Sequence, residues 1–514
     1  MIETTDLHWS NISKKTRASI MIGLSLGMLL ACLDGTIVAT SLPAILQDLH
    51  GYELYSWVFT GYMLCETIMI PIAGKLSDQY GRKPIFIIGL LLFMSGSILS
   101  GMSNNMTELI MFRAIQGLGG GILIPVATAT VADLYAPQDR GKIQGMLGAL
   151  FAVATCLGPF LGGYITDTIG WHWVFYINLP FGIASLIFTM KKFPKQERID
   201  DVHVDYIGMA LLSVFLIDLL LFFTWVGVDF AWVSADSGLM IVIAIFLLAL
   251  FIFNEFKAKD PVLKPALFKG NVFVWCCIIM MIFGMGMMGA MTYLPMFMQK
   301  VVGMSATNSG VILLPLIGGM MITSIVSGFA VKRTGYKPWL IVGPIVTAFG
   351  MGLMSTLTMT SGVPIAIFYL FITGIGMGCV MSVVMIAAQN SAKKEEMGMT
   401  TSSVNLFRSI GSTVAVGIFT TIINGKIATE LMPPTLPQEI YDILPHSTDI
   451  LNYLTSFPDY ATAILGAYGG SVTYSFLIAG ILTLFAVIGA VMMKTKKISD
   501  SDEENSIEIA EKFN

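Results

Sequence analysis

Long apolar runs separated by short polar segments dominate this chain. Each run covers about 20 residues, and a helix of that length crosses a hydrocarbon core about 30 Å thick. Hydropathy therefore predicts an all-α membrane protein with fourteen transmembrane helices. Their approximate bounds are 18–40, 55–75, 84–102, 107–132, 141–165, 173–190, 205–226, 237–255, 271–296, 307–330, 338–358, 364–388, 402–424 and 471–493.

The positive charges are distributed unevenly between the loops on the two sides of these spans. Of the 29 Lys and Arg residues, 25 lie on the side of the N-terminus, two lie in loops on the other side, and Arg113 and Arg408 lie inside spans. Loops rich in Lys and Arg stay in the cytoplasm. The count predicts a multi-pass protein of the plasma membrane with both termini cytoplasmic, and it predicts an uncleaved first span that follows Lys14, Lys15 and Arg17.

Composition agrees with a chain embedded in lipid and excludes several kinds of site. Hydrophobic residues make up 55% of the 514 residues and charged residues 12%, where a soluble protein carries about a quarter charged residues. The six cysteines fall inside apolar runs, and the five histidines lie in termini or loops without metal-ligand spacing. We expect no metal, no cofactor, no disulfide framework and no nucleic-acid partner.

One polar segment occurs twice. Gly74 to Pro84 follows the second span, Gly328 to Pro338 follows the tenth, and two Gly, one Lys and one Pro align between them at a constant offset of 254 residues. The repeat predicts two similar six-helix halves separated by an inserted helix pair, which is typical of transporters. The expected divisions are a first half at 1–200, the inserted pair at 201–262, a second half at 263–498 with an outer loop at 425–470, and a disordered acidic tail at 499–514.

Four segments form motifs: Gly74-Lys-Leu-Ser-Asp78-Gln-Tyr-Gly81-Arg82-Lys83-Pro84, Arg113-Ala-Ile-Gln116-Gly117-Leu-Gly119-Gly120-Gly121, Gly158-Pro159-Phe-Leu-Gly162-Gly163 and Leu33-Asp34-Gly-Thr36-Ile37-Val38-Ala-Thr-Ser-Leu42-Pro43. Together they resemble the motifs of the major facilitator superfamily, and in particular of its fourteen-span drug:proton antiporters. A segment that contains Asn178, from Trp171 to Pro180, is similar to the same branch. The resemblance implies proton-coupled export, and it places coupling residues in the first and fourth spans.

Asp34 and Arg113 are the main candidates for proton coupling. They lie roughly 24 Å and 20 Å from the cytoplasmic face at the rise of a helix, so the two side chains can meet. A lone charge at that depth costs several kcal/mol and is usually paired or functional. A permanent structural ion pair is the alternative.

Glu66, in the second span, is a second candidate proton site or a counter-charge for a cationic substrate. The alternative is that Glu66 is a neutral residue that only packs helices. Asp218 is interpreted as structural.

The remaining candidates concern gating and the cavity. Gly74, Asp78, Gly81, Arg82 and Lys83 form the cytoplasmic loop, and the resemblance implies that this loop latches the two halves. The second copy has Lys332 in place of Asp78, so only the first copy can make an anionic contact. Gly158, Pro159, Gly162 and Gly163 are expected to bend the fifth span and to admit close neighbours. Candidate cavity residues are Gln116, Asn178, Asn405 and Arg408, although Arg408 could instead snorkel to the interface.

These patterns predict a secondary transporter and not an enzyme. We expect it to exchange protons for small amphipathic compounds, either cationic or lipophilic, and to function as a monomer in the lipid bilayer. Export of an endogenous metabolite, lipid or peptide on the same fold is one alternative, and a membrane sensor that has lost transport is a remote one. The outer stretch 425–470 leaves room for a short hairpin or surface helices.

Overall fold

The computed structural model describes residues 12–50, 54, 57–193, 203–227, 229–304, 311–432, 435, 437 and 457–494. In this part of the chain the structure is helical, and 14 helical segments are long and apolar enough to cross a membrane. The predicted number of spans is therefore confirmed. Helices α6 and α7 together form the sixth span.

The helices of the first half and the inserted pair have the following bounds: α1 Lys14–Leu49, α2 Trp57–Tyr80, α3 Arg82–Gly101, α4 Met106–Leu134, α5 Pro137–Ile169, α6 His172–Tyr176, α7 Asn178–Lys192, α8 Tyr206–Trp225 and α9 Ala235–Lys257. Those of the second half are α10 Asn271–Lys300, α11 Leu314–Thr334, α12 Lys337–Met354, α13 Val363–Ser391, α14 Met397–Glu430 and α15 Ala461–Met492. We call the side of the bundle on which α1 begins the N-terminal face.

Local sequence explains where several of these helices start and stop. The side chains of Ser13, Asn105, Asp205 and Ser234 accept hydrogen bonds from backbone N–H groups in the first turns of α1, α4, α8 and α9. Such caps satisfy donors that have no partner inside the helix. At its C-terminus, α11 is followed by Gly335, whose φ is 75°. A positive φ is accessible to glycine without strain.

The two halves repeat the same packing. In the first half α4 packs against α2 and α3, and α1 packs against α5 and α7. In the second half α13 packs against α11 and α12, and α10 packs against α14 and α15. The halves meet where α5 packs on α11 and where α14 packs on α2. The structure thus has the two six-helix units that the repeated loop predicts.

The inserted pair is not uniformly peripheral. Most of α9 faces outward, with 11% of its apolar window buried. Helix α8 instead lies over the seam between the halves, because it packs against both α2 and α14. Leu212 and Leu216 of α8 join a separate apolar cluster with Ile70 of α2 and Leu406 of α14.

The expected outer loop at 425–470 is partly wrong. Helix α14 continues to Glu430 and α15 begins at Ala461, so both ends of that stretch extend the neighbouring spans. Hydropathy missed these helical turns because Lys426, Glu430 and several small residues lower the mean hydropathy of the stretch. None of these residues prevents a helix from continuing. The hairpin or surface helices expected between them, and the tail at 499–514, fall on segments outside the described residues.

Candidate functional site

A fully buried ion pair lies at the centre of the first half. Arg113 of α4 donates from Nη1 to Oδ2 of Asp34 on α1, and both side chains are at most 1% exposed. Arg113 also donates to Oε1 of Gln116 at 2.9 Å. The structure therefore brings together the two charges that their depths predict to meet.

Two amides complete the surroundings of Asp34. Its Oδ1 accepts from Nε2 of Gln116 at 2.7 Å and from Nδ2 of Asn178 at 3.1 Å. Both amides also donate to Oγ of Ser97, at 3.3 Å and 3.0 Å. Gln116 and Asn178 were expected in the cavity; the structure buries them completely in this cluster, because a buried carboxylate needs several donors.

An aromatic ring covers the other side of Arg113. The guanidinium carbon lies 4.2 Å from the ring centroid of Tyr62, within the range of a cation–π contact. Nε of Arg113 and Oδ1 of Asn178 are buried without a hydrogen-bond partner among the described residues. Buried polar atoms without a partner cost free energy, so these two atoms lower the stability of the cluster.

Glycines on α4 permit this close assembly. A Cβ added at Gly117 would meet the carbonyl oxygen of Tyr62, and one added at Gly121 would meet that of Glu66. Helix α2 therefore approaches α4 backbone to backbone, as small residues allow in membranes. The glycine run of this motif is a packing surface beside the ion pair.

A cavity lies between the two halves, and helices of both halves line it. Met28 of α1, Gln144 and Phe151 of α5, Ser382 of α13, and Asn405 and Arg408 of α14 belong to its lining. Arg408 is thus directed into the cavity and does not snorkel to the interface. The guanidinium carbon of Arg408 lies 5.5 Å from the ring centroid of Phe151, a residue of the other half.

Glu66 occupies an intermediate position. It lies half-buried on α2, and its charge interacts with Arg408 across the seam and with the Asp34–Arg113 pair within its own half. It is not among the residues that line the cavity. Asp218 lies half-buried on α8, with Oδ2 lacking a partner among the described residues.

The halves are joined at the N-terminal face by a buried ionic network, which we call the latch. Asp78 of α2 accepts the backbone N–H groups of Gly398 and Met399 at 2.8 Å each, at the start of α14. Arg82 pairs with Asp78 at 2.7 Å and with Asp133 at 2.9 Å. A carboxylate at a helix N-terminus is stabilised by the free N–H groups and by the helix dipole. The sequence predicted Asp78 and Arg82 here, but it did not identify Asp133.

Other residues of the predicted gating loop support the latch locally. Gly74 packs so closely on Gly398 and Ser402 that an added Cβ would collide with them. Gly81 turns the chain with a φ of 91°. Lys83 donates to the carbonyl oxygens of Met190 and Phe193, at 3.0 Å and 2.7 Å, and so ties α3 to the end of α7 within one half.

The same face is closed a second time where α5 meets α11. A Cβ added at either Gly141 or Gly328 would meet the carbonyl oxygen of the other. Beside them Arg140 donates to Oδ1 of Asn390 at 2.8 Å, and Gln144 donates to Oε1 of Gln389 at 3.1 Å. With the latch, these contacts close the N-terminal face below the cavity.

A segment after α9 adds a strap across the seam, which the sequence did not reveal. Asp260 accepts from Nζ of Lys75 and, at 2.7 Å, from Nε2 of Gln79, while Lys264 pairs with Glu396 at 3.0 Å. Partial burial acts to raise the pKa of Asp260, but the bonds from Lys75 and Gln79 outweigh it and hold the pKa below its ordinary value. Asp260 is therefore charged at neutral pH.

The glycines of the fifth span face the first helix. Added Cβ atoms at Gly158 and Gly162 would meet Thr36 and Ile37 of α1, two and three residues after Asp34, whereas Gly163 has open space around it. Helix α5 runs unbroken through Pro159. The motif thus packs directly beside the helix segment that carries Asp34.

Among the described residues no group of three or more His, Cys, Asp or Glu side chains could hold a metal ion. What the site offers instead is a buried carboxylate with three polar partners, Arg113, Gln116 and Asn178, about two helix turns along α1 from a cavity that both halves line.

The sequence of this chain is similar to a known protein family and to characterised proteins. The family model described as Major Facilitator Superfamily matches residues 24–416. The chain is 40% identical to the multidrug transporter protein MdtP of Bacillus subtilis (strain 168), over 83% of this chain and 80% of that protein. It is 34% identical to multidrug resistance protein 3 of the same organism, over 94% of this chain and 96% of that protein.

Solved structures share the fold at low sequence identity. The human organic anion transporter MFSD10 has a TM-score of 0.60 and 14% identity, and covers 91% of this chain and 99% of its own. The proton:xylose symporter XylE has a TM-score of 0.58 and 15% identity, over 93% and 95%. Similarity at this level concerns the fold alone.

Proposed function

Because the chain belongs to the Major Facilitator Superfamily, and is therefore a multi-pass membrane transporter, we propose that it is a proton-coupled exporter of small amphipathic compounds. Asp34 carries this proposal, since a fully buried carboxylate paired with Arg113 is the feature that a change of protonation would alter most. The N-terminal face is proposed to be cytoplasmic in the plasma membrane, in accord with the distribution of Lys and Arg.

The coupling step starts at Asp34. When the carboxyl group takes up a proton, its attraction for Arg113 is lost, and the donors of Gln116 and Asn178 lose an anionic acceptor. Arg113 then needs another partner or a rearrangement of α1 against α4, because an unpaired buried cation is costly. In this scheme proton uptake loosens the contact between two helices that both reach the cavity.

The cavity lies within reach of that movement. Met28 of α1 lines it, about 9 Å along the helix from Asp34, and Ile124 and Thr128 of α4 line it from the helix that carries Arg113. A shift of α1 against α4 therefore changes the cavity wall directly. If the cargo binds more tightly while Asp34 and Arg113 are paired, proton uptake and cargo binding exclude each other.

Alternating access is supported by the closed N-terminal face. The latch, the glycine contact between Gly141 and Gly328, and the strap at Asp260 all join one half to the other at that face. Opening the cavity toward the cytoplasm requires that these contacts separate. Rocking of the two halves about the cavity is the movement that would do so.

The cavity and the relatives support an amphipathic cargo. Met28, Met280, Met381 and Met385 contribute flexible thioethers to the lining, and such side chains adapt to ligands of varied shape. The two named relatives from Bacillus subtilis are described as multidrug proteins. We propose the same class of substrate for this chain, acting as a monomer; a substrate panel that includes metabolites, lipids and peptides would reveal an endogenous cargo.

The proposal is tested with full-length protein in everted vesicles. Dye uptake driven by an imposed proton gradient is measured, with and without nigericin, for the wild type, Asp34→Asn and the control Asp236→Asn, which alters an exposed carboxylate in the first turn of α9. We expect nigericin and Asp34→Asn each to abolish concentrative transport, while Asp34→Asn retains exchange down a dye gradient. If nigericin leaves dye transport unchanged, or if the Asp34→Asn variant transports as well as the wild type, proton coupling at this residue is ruled out.

A further inference from the structure

Arg408 is a cation deep in the membrane whose donors are incompletely used. It lies about 11 residues after the start of α14, which is about 16 Å from the N-terminal face. Its Nε is buried without a hydrogen-bond partner, and no described carboxylate lies within ion-pairing distance of it. A guanidinium in such a place normally finds a carboxylate, a carbonyl group or water.

The described walls around Arg408 contain neutral polar side chains but no carboxylate that could pair with it. The ring of Phe151 gives a cation–π contact at 5.5 Å. Asn405, one turn earlier on α14, donates its own amide to the carbonyl oxygen of Thr401 at 3.1 Å. Among the described residues that line the cavity there are four methionines and four neutral polar side chains, and the guanidinium of Arg408 is the one charged group.

Glu66 does not complete the pairing. Its charge interacts with Arg408 across the seam, but the two groups do not form an ion pair in this structure, and Glu66 is not in the cavity lining. A planar guanidinium with free donors matches a carboxylate in both charge and shape, and can bind it through two parallel hydrogen bonds.

We propose that Arg408 binds a carboxylate group of the cargo, so that the exporter takes amphipathic organic acids and not simply cationic compounds. This inference rests on the proposed function for its transport step, and on the cavity alone for its binding step. The sequence predicts a cationic or lipophilic cargo, and this inference disfavours the cationic class, because the formal charge among the described lining residues is positive. The apolar body of the cargo would lie against Phe151 and the methionines.

The charge of such a cargo has a consequence for energetics. Outward movement of one monoanion and inward movement of one proton together carry two positive charges inward. A membrane potential that is negative inside therefore assists the exchange, in addition to the pH gradient. A neutral cargo exchanged for one proton would carry a single charge, so its transport would respond less steeply to the potential.

The test uses three probes that share one fluorophore. Dansyl-leucine carries a carboxylate, dansyl-leucinamide is the neutral match, and dansylcadaverine carries an ammonium group. Binding to the full-length protein in nanodiscs is followed by dansyl fluorescence, and transport is followed in vesicles. Arg408→Gln and Arg408→Lys are compared with Arg333→Gln, which removes an exposed arginine at the end of α11.

We expect Arg408→Gln to weaken binding of dansyl-leucine at least tenfold, the effect of losing a charged hydrogen-bond pair. Binding of dansyl-leucinamide should change less than twofold, which also reports that the variant is folded. Arg408→Lys should restore part of the affinity, and Arg333→Gln should resemble the wild type. In everted vesicles, a potential that is positive in the lumen should accelerate dansyl-leucine uptake more than dansyl-leucinamide uptake.

The possible failures are distinguishable. If Arg408→Gln weakens all three probes equally, or if the wild type prefers dansylcadaverine to dansyl-leucine, the carboxylate site is wrong while proton-coupled export stands. If dansyl-leucine binding depends on Arg408 but no probe is transported in response to a pH gradient, the proposed function is wrong and the binding site stands.

Discussion

The two copies of the repeated loop adopt the same turn but close the N-terminal face by different chemistry. Gly81 in the first copy and Gly335 in the second have φ values of 91° and 75°. Gly74 of the first copy packs on Gly398 of the other half, and its counterpart Gly328 packs on Gly141. Backbone geometry and close helix contact are therefore common to both copies.

The charged groups are not shared. In the first copy Asp78 and Arg82 form a buried network that reaches the start of α14. In the second copy Lys332 stands at the place of Asp78 and is exposed, together with Arg333. That side is closed instead by the glycine contact, the Gln144–Gln389 amide pair and a bond from Arg140 to the neutral Asn390, without a buried carboxylate from the loop.

The helix that each copy faces explains this difference. Helix α14 has no side-chain cap at its N-terminus and no acidic residue in its first turn, so Asp78 supplies the missing acceptor from the other half. Helix α5 starts with Pro137, which has no N–H group, and carries Asp139 in its first turn. Helix α5 has no side-chain cap either, but it offers one N–H group fewer and already carries a carboxylate in its first turn. A carboxylate from the other half therefore stabilises α14 more than it would stabilise α5.

The largest effect should come from the first copy. Asp78→Ala removes the cap of α14 and one of the two carboxylates that pair with Arg82 among the described residues, the other being Asp133. Loss of one member of a buried charge network costs about 3 kcal/mol, on the order of a hundredfold in the balance between closed and open states. We expect the N-terminal face to open, as measured by spin-label distances between exposed positions 15 and 393 on the two halves.

Asp78→Asn provides a graded control for that substitution. The amide oxygen can still accept from an N–H group of α14, but it cannot balance Arg82. Its distance distribution should lie between those of the wild type and Asp78→Ala. An Asp78→Ala protein whose labels remain at the closed distance would contradict the latch.

A smaller effect should come from the glycine contact of the second copy. Gly328→Ala places a methyl group against the carbonyl oxygen of Gly141, and overpacking of this kind costs typically about 1–3 kcal/mol. We expect the same spin-label pair to report opening of about tenfold. The matched control is Gly318→Ala on the same helix, where an added Cβ meets nothing within 4 Å. Equal behaviour of the two variants would show that close packing at Gly328 is not limiting.

Much of the fold followed from the sequence because membrane spans and repeats are local patterns. Hydropathy predicted the number of spans, and the repeated loop predicted where the chain divides into two halves. The depths of Asp34 and Arg113 along their helices were enough to predict their contact. Helix ends were placed less well, since α14 and α15 continue through residues that lower the mean hydropathy.

The remaining parts of the site depend on contacts between residues far apart in sequence. Gln116 and Asn178 both bind Asp34, although they come from α4 and α7. Asp260 and Lys75 are separated by 185 residues, and neither stands in a spacing that indicates the other. The direction of Arg408 depends on which face α14 turns toward the cavity, and the many Ser, Thr and Asn residues of α14 do not single out that face.

The strap should matter less than the latch, because Asp260 is about one-third exposed. Asp260→Asn removes an ion pair with Lys75 but can retain hydrogen bonds, so we expect a loss of at most about 1 kcal/mol and a fewfold opening of the N-terminal face.

The pH dependence of the strap has a definite sign. Because the pKa of Asp260 is lowered in the folded protein, its contribution is present above the ordinary aspartate pKa and is lost as pH falls through the lowered one. The spin-label distances of the wild type should therefore not change between about pH 6 and pH 8 on account of Asp260. A transition within that range that Asp260→Asn removes would show that this carboxyl group titrates near neutrality.

The smallest effect is expected from making the second copy resemble the first. Lys332→Asp places a carboxylate where Asp78 stands in the first copy, yet α5 already carries Asp139 in its first turn, and Pro137 offers no N–H group for the new carboxylate. An exposed substitution without a specific partner typically changes stability by about 0.5 kcal/mol or less, so the spin-label distances and transport should stay within about twofold of the wild type. Lys332→Gln serves as the control for loss of the positive charge alone. If Lys332→Asp instead tightened closure as strongly as Asp78 does, the asymmetry of the two copies would lie in the loop residue and not in the helix that the loop faces.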